Sequence, residues 1–205
     1  MDTKIKICGI TSLKDALIAV ECGADAIGFV FANSPRRVEP FVVREIIDRL
    51  PPFITTVGVF KDDLPEDINR IVELTGIKVV QLHGSETPEY CRSIRNAKLI
   101  KTIKIDNKTT YAKIVAQMDR YNVSAFLFDP GEGSGRIFNW KLLEGIKGMI
   151  IVAGGLNERN VRALIKLLNP YGVDVCTGVE ARVGEKDPLK IKRFVQEVRK
   201  CSLPA

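Results

Sequence analysis

Eight short runs of β-branched and apolar residues recur along the chain, each followed by a longer stretch with helical spacing. This alternation limits the fold more than any other feature. The strand candidates are Lys4–Cys8, Ala26–Phe31, Ile54–Phe60, Ile77–Leu82, Leu99–Ile103, Ser124–Asp129, Met149–Ala153 and Val173–Cys176. The first helix is capped by Thr11 or Ser12 and carries Ala16, Leu17 and Val20 at helical spacing. Later helices are expected over Phe41–Leu50, Pro65–Leu74, Pro88–Arg95, Tyr111–Arg120, Trp140–Ile146, Glu158–Leu168 and Leu189–Lys200. Pro65 and Pro88 sit where a first helical turn tolerates proline. Strands that alternate with helices argue for a parallel sheet. Eight such units in one domain fit a closed (β/α)8 barrel better than an open doubly wound sheet. The 205 residues suit one domain with a sizeable core, so a single barrel over residues 1–205 is expected.

Composition removes several classes of function. The net charge is +6, but Lys and Arg are scattered among Asp and Glu. That pattern reads as a mixed solvated surface rather than a nucleic-acid-binding face. The positive excess favours an anionic small-molecule substrate. No apolar run approaches the roughly 18 residues that span a bilayer. The opening MDTKIKICGI lacks the apolar core of a secretory signal, so a cytoplasmic protein with no membrane partner is expected. The five cysteines are odd in number and contain no CxxC pair, and His83 is the single histidine. Neither a disulfide framework nor a metal centre fits that inventory.

In a barrel of this kind, chemistry takes place at the C-terminal ends of the strands. Polar, small and reactive residues collect there: Cys8-Gly9, Ser34-Pro35-Arg36-Arg37, His83-Gly84, Asp129, Gly154-Gly155 and Cys176-Thr177-Gly178. Strand alternation turns Lys4, Lys6 and Cys8 into the barrel. Lys6 below Cys8 favours the thiolate over the thiol. A small buried cysteine that only packs is the competing reading. Asp129 follows the apolar run Phe126-Leu127-Phe128 and is either a loop cap or a site acid whose pKa is raised by partial burial. Arg36, after a rigid proline, has the fork geometry that grips a carboxylate or phosphate, or else is a solvated loop charge. His83 shares the inward face with Val79 and Gln81 and is either hydrogen-bonded structure or a pocket residue. The turns Gly154-Gly155 and Thr177-Gly178 follow strands seven and eight, where barrel phosphate sites commonly form. Residues 131–135, GEGSG, form a flap, a third wall or a simple turn.

The motifs KICGIT at 6–11, GADAIGFVF at 23–31, SPRRV at 34–38, VGVF at 57–60, VQLHG at 80–84, FDPGEGSGRIFNW at 128–140, AGGLNERNV at 153–161 and DVCTGVE at 174–180 run in order along the chain. Together they resemble the phosphoribosylanthranilate isomerase family of tryptophan biosynthesis. The resemblance implies a barrel enzyme that performs an Amadori rearrangement of N-(5-phosphoribosyl)anthranilate. It implies Cys8 as general base, Asp129 as general acid and Arg36 as the holder of the anthranilate carboxylate. His83 and Asp174 match residues that line the substrate pocket, and Gly154, Gly155, Thr177 and Gly178 match the phosphate cradle. No metal or organic cofactor is implied. Arg37 falls where relatives often carry tyrosine, Pro130 follows the acid, and Cys176 replaces a serine or another small residue. Monomer and homodimer both remain open.

Two other classes stand beside this one. A related sugar-phosphate isomerase barrel is the nearer: an epimerase of that kind is expected to use metal-binding histidines, and a histidine-pathway isomerase paired aspartates. A non-catalytic phosphate-ligand binding protein is the more distant, and it needs no acid–base pair. Strands one and eight become neighbours on barrel closure, which brings Cys8 and Cys176 to one rim and raises the prospect of an oxidative cross-link.

Overall fold

A computed structural model describes residues 2–131 and 135–201. The strands are β1 (Lys4–Cys8), β2 (Ala26–Val30), β3 (Thr55–Phe60), β4 (Val79–Leu82), β5 (Lys98–Lys104), β6 (Ala125–Asp129), β7 (Ile150–Val152) and β8 (Gly172–Val175). They close into a parallel barrel in sequence order. Closure is made by β1 on β8, with Lys6 opposite Asp174 and Ile7 opposite Val175. The helices are α1 (Leu13–Glu21), α2 (Pro40–Ile47), α3 (Pro65–Thr75), α4 (Pro88–Arg92), α5 (Tyr111–Met118), α6 (Val161–Leu168) and α7 (Pro188–Arg199).

Local chemistry sets the helix ends. The Ser12 hydroxyl accepts the Asp15 N–H at 3.1 Å and starts α1. Proline opens α2, α3, α4 and α7, where its missing N–H costs nothing. The expected starts at Phe41 and Leu189 therefore move back by one residue.

The sixth unit differs more. Among the described residues, a single 3-10 turn, Trp140–Leu143, lies between β6 and β7, capped by Asn139. The expected helix to Ile146 has to pass through Gly145, which sits at φ 80°, so it stops short. A two-stranded hairpin, β9 (Glu180–Arg182) and β10 (Glu185–Lys186), also lies between β8 and α7. No sequence signal above anticipates it.

Two cores follow from strand alternation. The outward faces supply Ile5, Ile7, Phe29, Val80, Leu82, Phe128 and Val173, which pack against the helices in one large cluster. The inward faces supply a smaller cluster of Val57, Val79, Ile100, Ala125, Leu127, Ile151 and Ala153 that plugs the lumen. The polar ends of the strands stand above that plug.

Candidate active site

A cavity of about 280 Å³ opens at the C-terminal mouth of the barrel. Cys8, Arg36, His83, Asp129, Gly154, Gly155, Asp174 and Thr177 all line it, brought together from six strand ends. Gly178 is the one sequence-expected residue that is not in the wall. It packs behind, where a side chain would collide with the Leu156 carbonyl. Of the stretch expected as a flap, a third wall or a simple turn, Glu132-Gly133-Ser134 lies outside the described residues. Its flanks Gly131 and Gly135 do border the cavity.

Cys8 ends β1 and is buried. Gly28, opposite it on β2, makes the room: a Cβ there would come within 2.9 Å of both the Cys8 sulfur and the Lys6 Cε. Below Cys8, Lys6 Nζ donates to Asp174 Oδ2 and to Gln81 Oε1, each at 2.9 Å. Burial opposes the Lys6 charge, yet Asp174 and Cys8 outweigh it and hold the ammonium above its ordinary pKa. The thiol itself is not lowered. Burial pushes Cys8 up, and Asp174 adds to that, while the pull of Lys6 offsets only part. Lys6 does favour the thiolate, as expected, but burial of the thiol outweighs it.

The lysine orders a second side chain. Because Gln81 gives its oxygen to Lys6, its amide nitrogen faces His83 Nδ1 at 3.2 Å. That nitrogen then accepts, which assigns the proton of the neutral ring to Nε2. The Thr102 hydroxyl lies 3.2 Å from the same Nδ1. Asp174 keeps one feature unexplained by the protein: its Oδ1 is buried and has no partner among the described residues. A buried unpaired carboxylate oxygen costs free energy unless a ligand donor meets it.

Across the mouth, Asp129 ends β6 half-buried, and its Oδ1 accepts the Gly131 N–H at 2.7 Å. Loop cap and cavity residue, the two readings of its position, therefore coincide. Gly154 and Gly155 follow β7 at φ 86° and 62°. A side chain on Gly155 would meet the Gly135 carbonyl at 2.6 Å and Ile137 at 2.8 Å. Only glycine lets these segments close over the cavity while leaving backbone exposed to a ligand.

Arg36 lines the cavity, and Arg37 does not; Arg37 is exposed beside Glu39 at 3.9 Å. One edge of the Arg36 guanidinium is fixed by Glu180, with Nε and Nη2 donating to its two oxygens at 2.7 Å each. Lys186 Nζ approaches the same carboxylate at 3.0 Å. Glu180 and Lys186 carry no role in the sequence reading. The signal for Glu180 is its place in DVCTGVE; a charged lysine in a short hairpin gives none. Cys176 joins this group, 3.7 Å from Lys186 Nζ and 3.8 Å from Glu180. Burial, with Cys8 nearby, pushes its thiol up to about 12.

A closed barrel with a thiol, a carboxyl group, an arginine and glycine-bearing turns around one mouth cavity has the layout of a (β/α)8-barrel enzyme for a small ligand. Comparison with known proteins narrows the class. The profile of the family described as N-(5'phosphoribosyl)anthranilate (PRA) isomerase matches residues 5–197. The N-(5'-phosphoribosyl)anthranilate isomerase of Desulforudis audaxviator is 47% identical, over 97% of this chain and 99% of its own length. The crystal structure of phosphoribosyl anthranilate isomerase from Thermotoga maritima superposes with a TM-score of 0.88 at 37% identity, covering 97% of this chain and 99% of that one. A solved isomerase in complex with reduced 1-(o-carboxyphenylamino)-1-deoxyribulose 5-phosphate gives 0.86 at 36% identity, covering 97% of this chain and 99% of that one. The chain belongs to the phosphoribosylanthranilate isomerase family.

Proposed function

We propose that the chain is one catalytic barrel domain that isomerises N-(5-phosphoribosyl)anthranilate to 1-(2-carboxyphenylamino)-1-deoxyribulose 5-phosphate in tryptophan biosynthesis. The observation that carries the assignment of roles is that Cys8 and Asp129 share one cavity with Arg36 and with the Gly154-Gly155 and Thr177 turns. Asp129 protonates the furanose ring oxygen. The anilino nitrogen lone pair moves in as the C1–O bond breaks, which leaves an open-chain iminium. Cys8 as thiolate then takes the proton from C2, whose acidity the iminium raises, and the electron pair becomes the enolamine. Tautomerisation of the enolamine gives the ketose. The iminium supplies the electron sink, so the residues need only transfer protons and hold the substrate.

The raised thiol pKa fits this order of events. Free Cys8 is a thiol; once ring opening places a cation beside it, it releases its proton to water at the cavity mouth, and the thiolate so formed takes the C2 proton. That cation favours the thiolate at the step that needs it. Arg36 holds the carboxylate through its remaining guanidinium edge. The Gly154-Gly155 and Thr177-Gly178 turns cradle the phosphate. The unpartnered Asp174 Oδ1 accepts a donor from the bound sugar or amine. The enzyme works in the cytoplasm on a small-molecule substrate. No helix among the described residues is long and apolar enough to cross a membrane.

The test is loss of anthranilate fluorescence on turnover. The native chain must convert the substrate, and Cys8→Ala and Asp129→Asn must each abolish most of that conversion.

A further inference from the structure

The group behind Arg36 is unusual in its charge. Glu180 is one buried carboxylate held between two cations, the cavity-lining Arg36 and the buried Lys186. Burial works against its charge, but the hydrogen bond from Arg36 and the field of Lys186 hold its pKa below the ordinary carboxylate range. Lys186 is fully enclosed, and its Nζ also reaches the Cys176 carbonyl at 3.4 Å. Its main-chain N–H reaches Asp15 Oδ2 at 3.3 Å, and Lys190 Nζ donates to the Glu180 carbonyl rather than to its side chain. The hairpin that carries Lys186 is pinned to the β1–α1 loop by the Thr11 hydroxyl on the Gly184 carbonyl at 2.6 Å. Neither Glu180 nor Lys186 lines the cavity; Arg36 does.

A guanidinium paired with a carboxylate as a neutral unit has little left with which to attract a second carboxylate. Here the pairing fixes the orientation of Arg36, and Lys186 returns one positive charge to the unit. We propose that Lys186, acting through Glu180, is a positioning residue that sets the net charge presented by Arg36 and so governs how tightly the substrate carboxylate is held. The proposal rests on the assignment of Arg36 to that carboxylate.

The test compares two ligands by titration calorimetry on the full chain: reduced 1-(o-carboxyphenylamino)-1-deoxyribulose 5-phosphate and its phenylamino counterpart without the carboxylate. The native protein binds the first more tightly. In Lys186→Met that preference falls by about tenfold, a typical coupling for contacting groups, while the carboxylate-free ligand binds as before. The double variant Lys186→Met/Glu180→Gln removes both members of the added pair, leaves Arg36 with its charge, and regains most of the preference. Lys186→Arg keeps it throughout. Lys186→Gln takes the place of the methionine variant if that one does not fold, with the same expected loss. A preference that survives in Lys186→Met overturns the proposal. So does a uniform weakening of both ligands, or a loss that the double variant deepens, since either marks a packing role alone. A native protein that shows no preference refutes the Arg36 assignment itself, and the proposal falls with it.

Discussion

Lys6 and Lys101 are both buried lysines paired with a carboxylate, at 2.9 Å to Asp174 and 2.7 Å to Glu86. Their surroundings differ by one turn of strand geometry. Lys6 points into the lumen beneath Cys8, and its partner Asp174 lines the cavity. Lys101 points out of β5 toward the helices, where its Nζ also donates to the Gly84 carbonyl at 2.7 Å. Glu86 there accepts the Asp62 and Gly84 N–H groups, so the pair ties the loop after β4 to β5. The lesson is that a buried ion pair has no fixed meaning. In the lumen one Asp174 oxygen has no partner among the described residues; in the outer layer Lys101 and Glu86 are both engaged by the loop after β4.

The sharpest separation of the two regions comes from the lumen. Cys8→Ala and Asp129→Asn are expected to lower kcat by at least about a hundredfold each, within the range for general acid–base groups, with ligand binding and thermal stability near native. Near-normal turnover in Cys8→Ala sinks the base assignment. The outer pair behaves in the opposite way. Glu86→Ala strands a buried ammonium and costs on the order of 3–5 kcal/mol of stability, read from urea unfolding. Its kcat, measured where the protein is folded, stays close to native. A stable but inactive Glu86→Ala would erase the distinction.

A third expectation concerns pH. The Cys8 thiol stands above its ordinary range in the free enzyme, chiefly through burial and secondarily through Asp174. A base acts only when deprotonated, and kcat/KM reports the free enzyme. The rate constant therefore climbs with pH through neutrality and continues past the ordinary thiol range. Asp174→Asn removes a negative neighbour, which moves that limb to lower pH whatever it does to the plateau. A limb that stays in place removes Asp174 from the account of the thiol.

The same contrast explains what was legible in the sequence. The alternation of runs located all eight strands to within two residues, because inward and outward faces carry different chemistry. Lys6 was readable for the same reason, two residues from Cys8 on one strand. Gly154 and Gly155 were readable from where they fall after strand seven, whereas Gly178, after strand eight, stands behind the wall. Lys101 was hidden in the run LIKTIK, since its partner Glu86 lies in a loop that no periodicity marks. Lys186 was hidden more deeply. Its hairpin is too short to leave a pattern, and the pairing that sets Lys186 opposite Glu180 exists only once the hairpin has formed. The sixth helix failed because one glycine, Gly145, outweighed an otherwise apolar spacing.

The smallest expected effect is also the closest comparison, because Thr102 is the next residue after Lys101 on β5 and faces the opposite way. Its hydroxyl meets His83 Nδ1, which Gln81 already contacts from the other side. Thr102→Val keeps the volume and removes one of the two described contacts at His83 Nδ1, with a cost of about 1 kcal/mol typical of a single hydrogen bond. That corresponds to roughly a fivefold fall in kcat/KM if the histidine needs both contacts to hold its ring, with unfolding little changed. Lys101→Met, one residue away, is expected to give the reverse, a large loss of stability and little change in the kinetics of the folded enzyme. If Thr102→Val instead lowers stability and spares kcat/KM, the lumen at this height is structural, and the division between the two faces of β5 has to be drawn nearer the mouth.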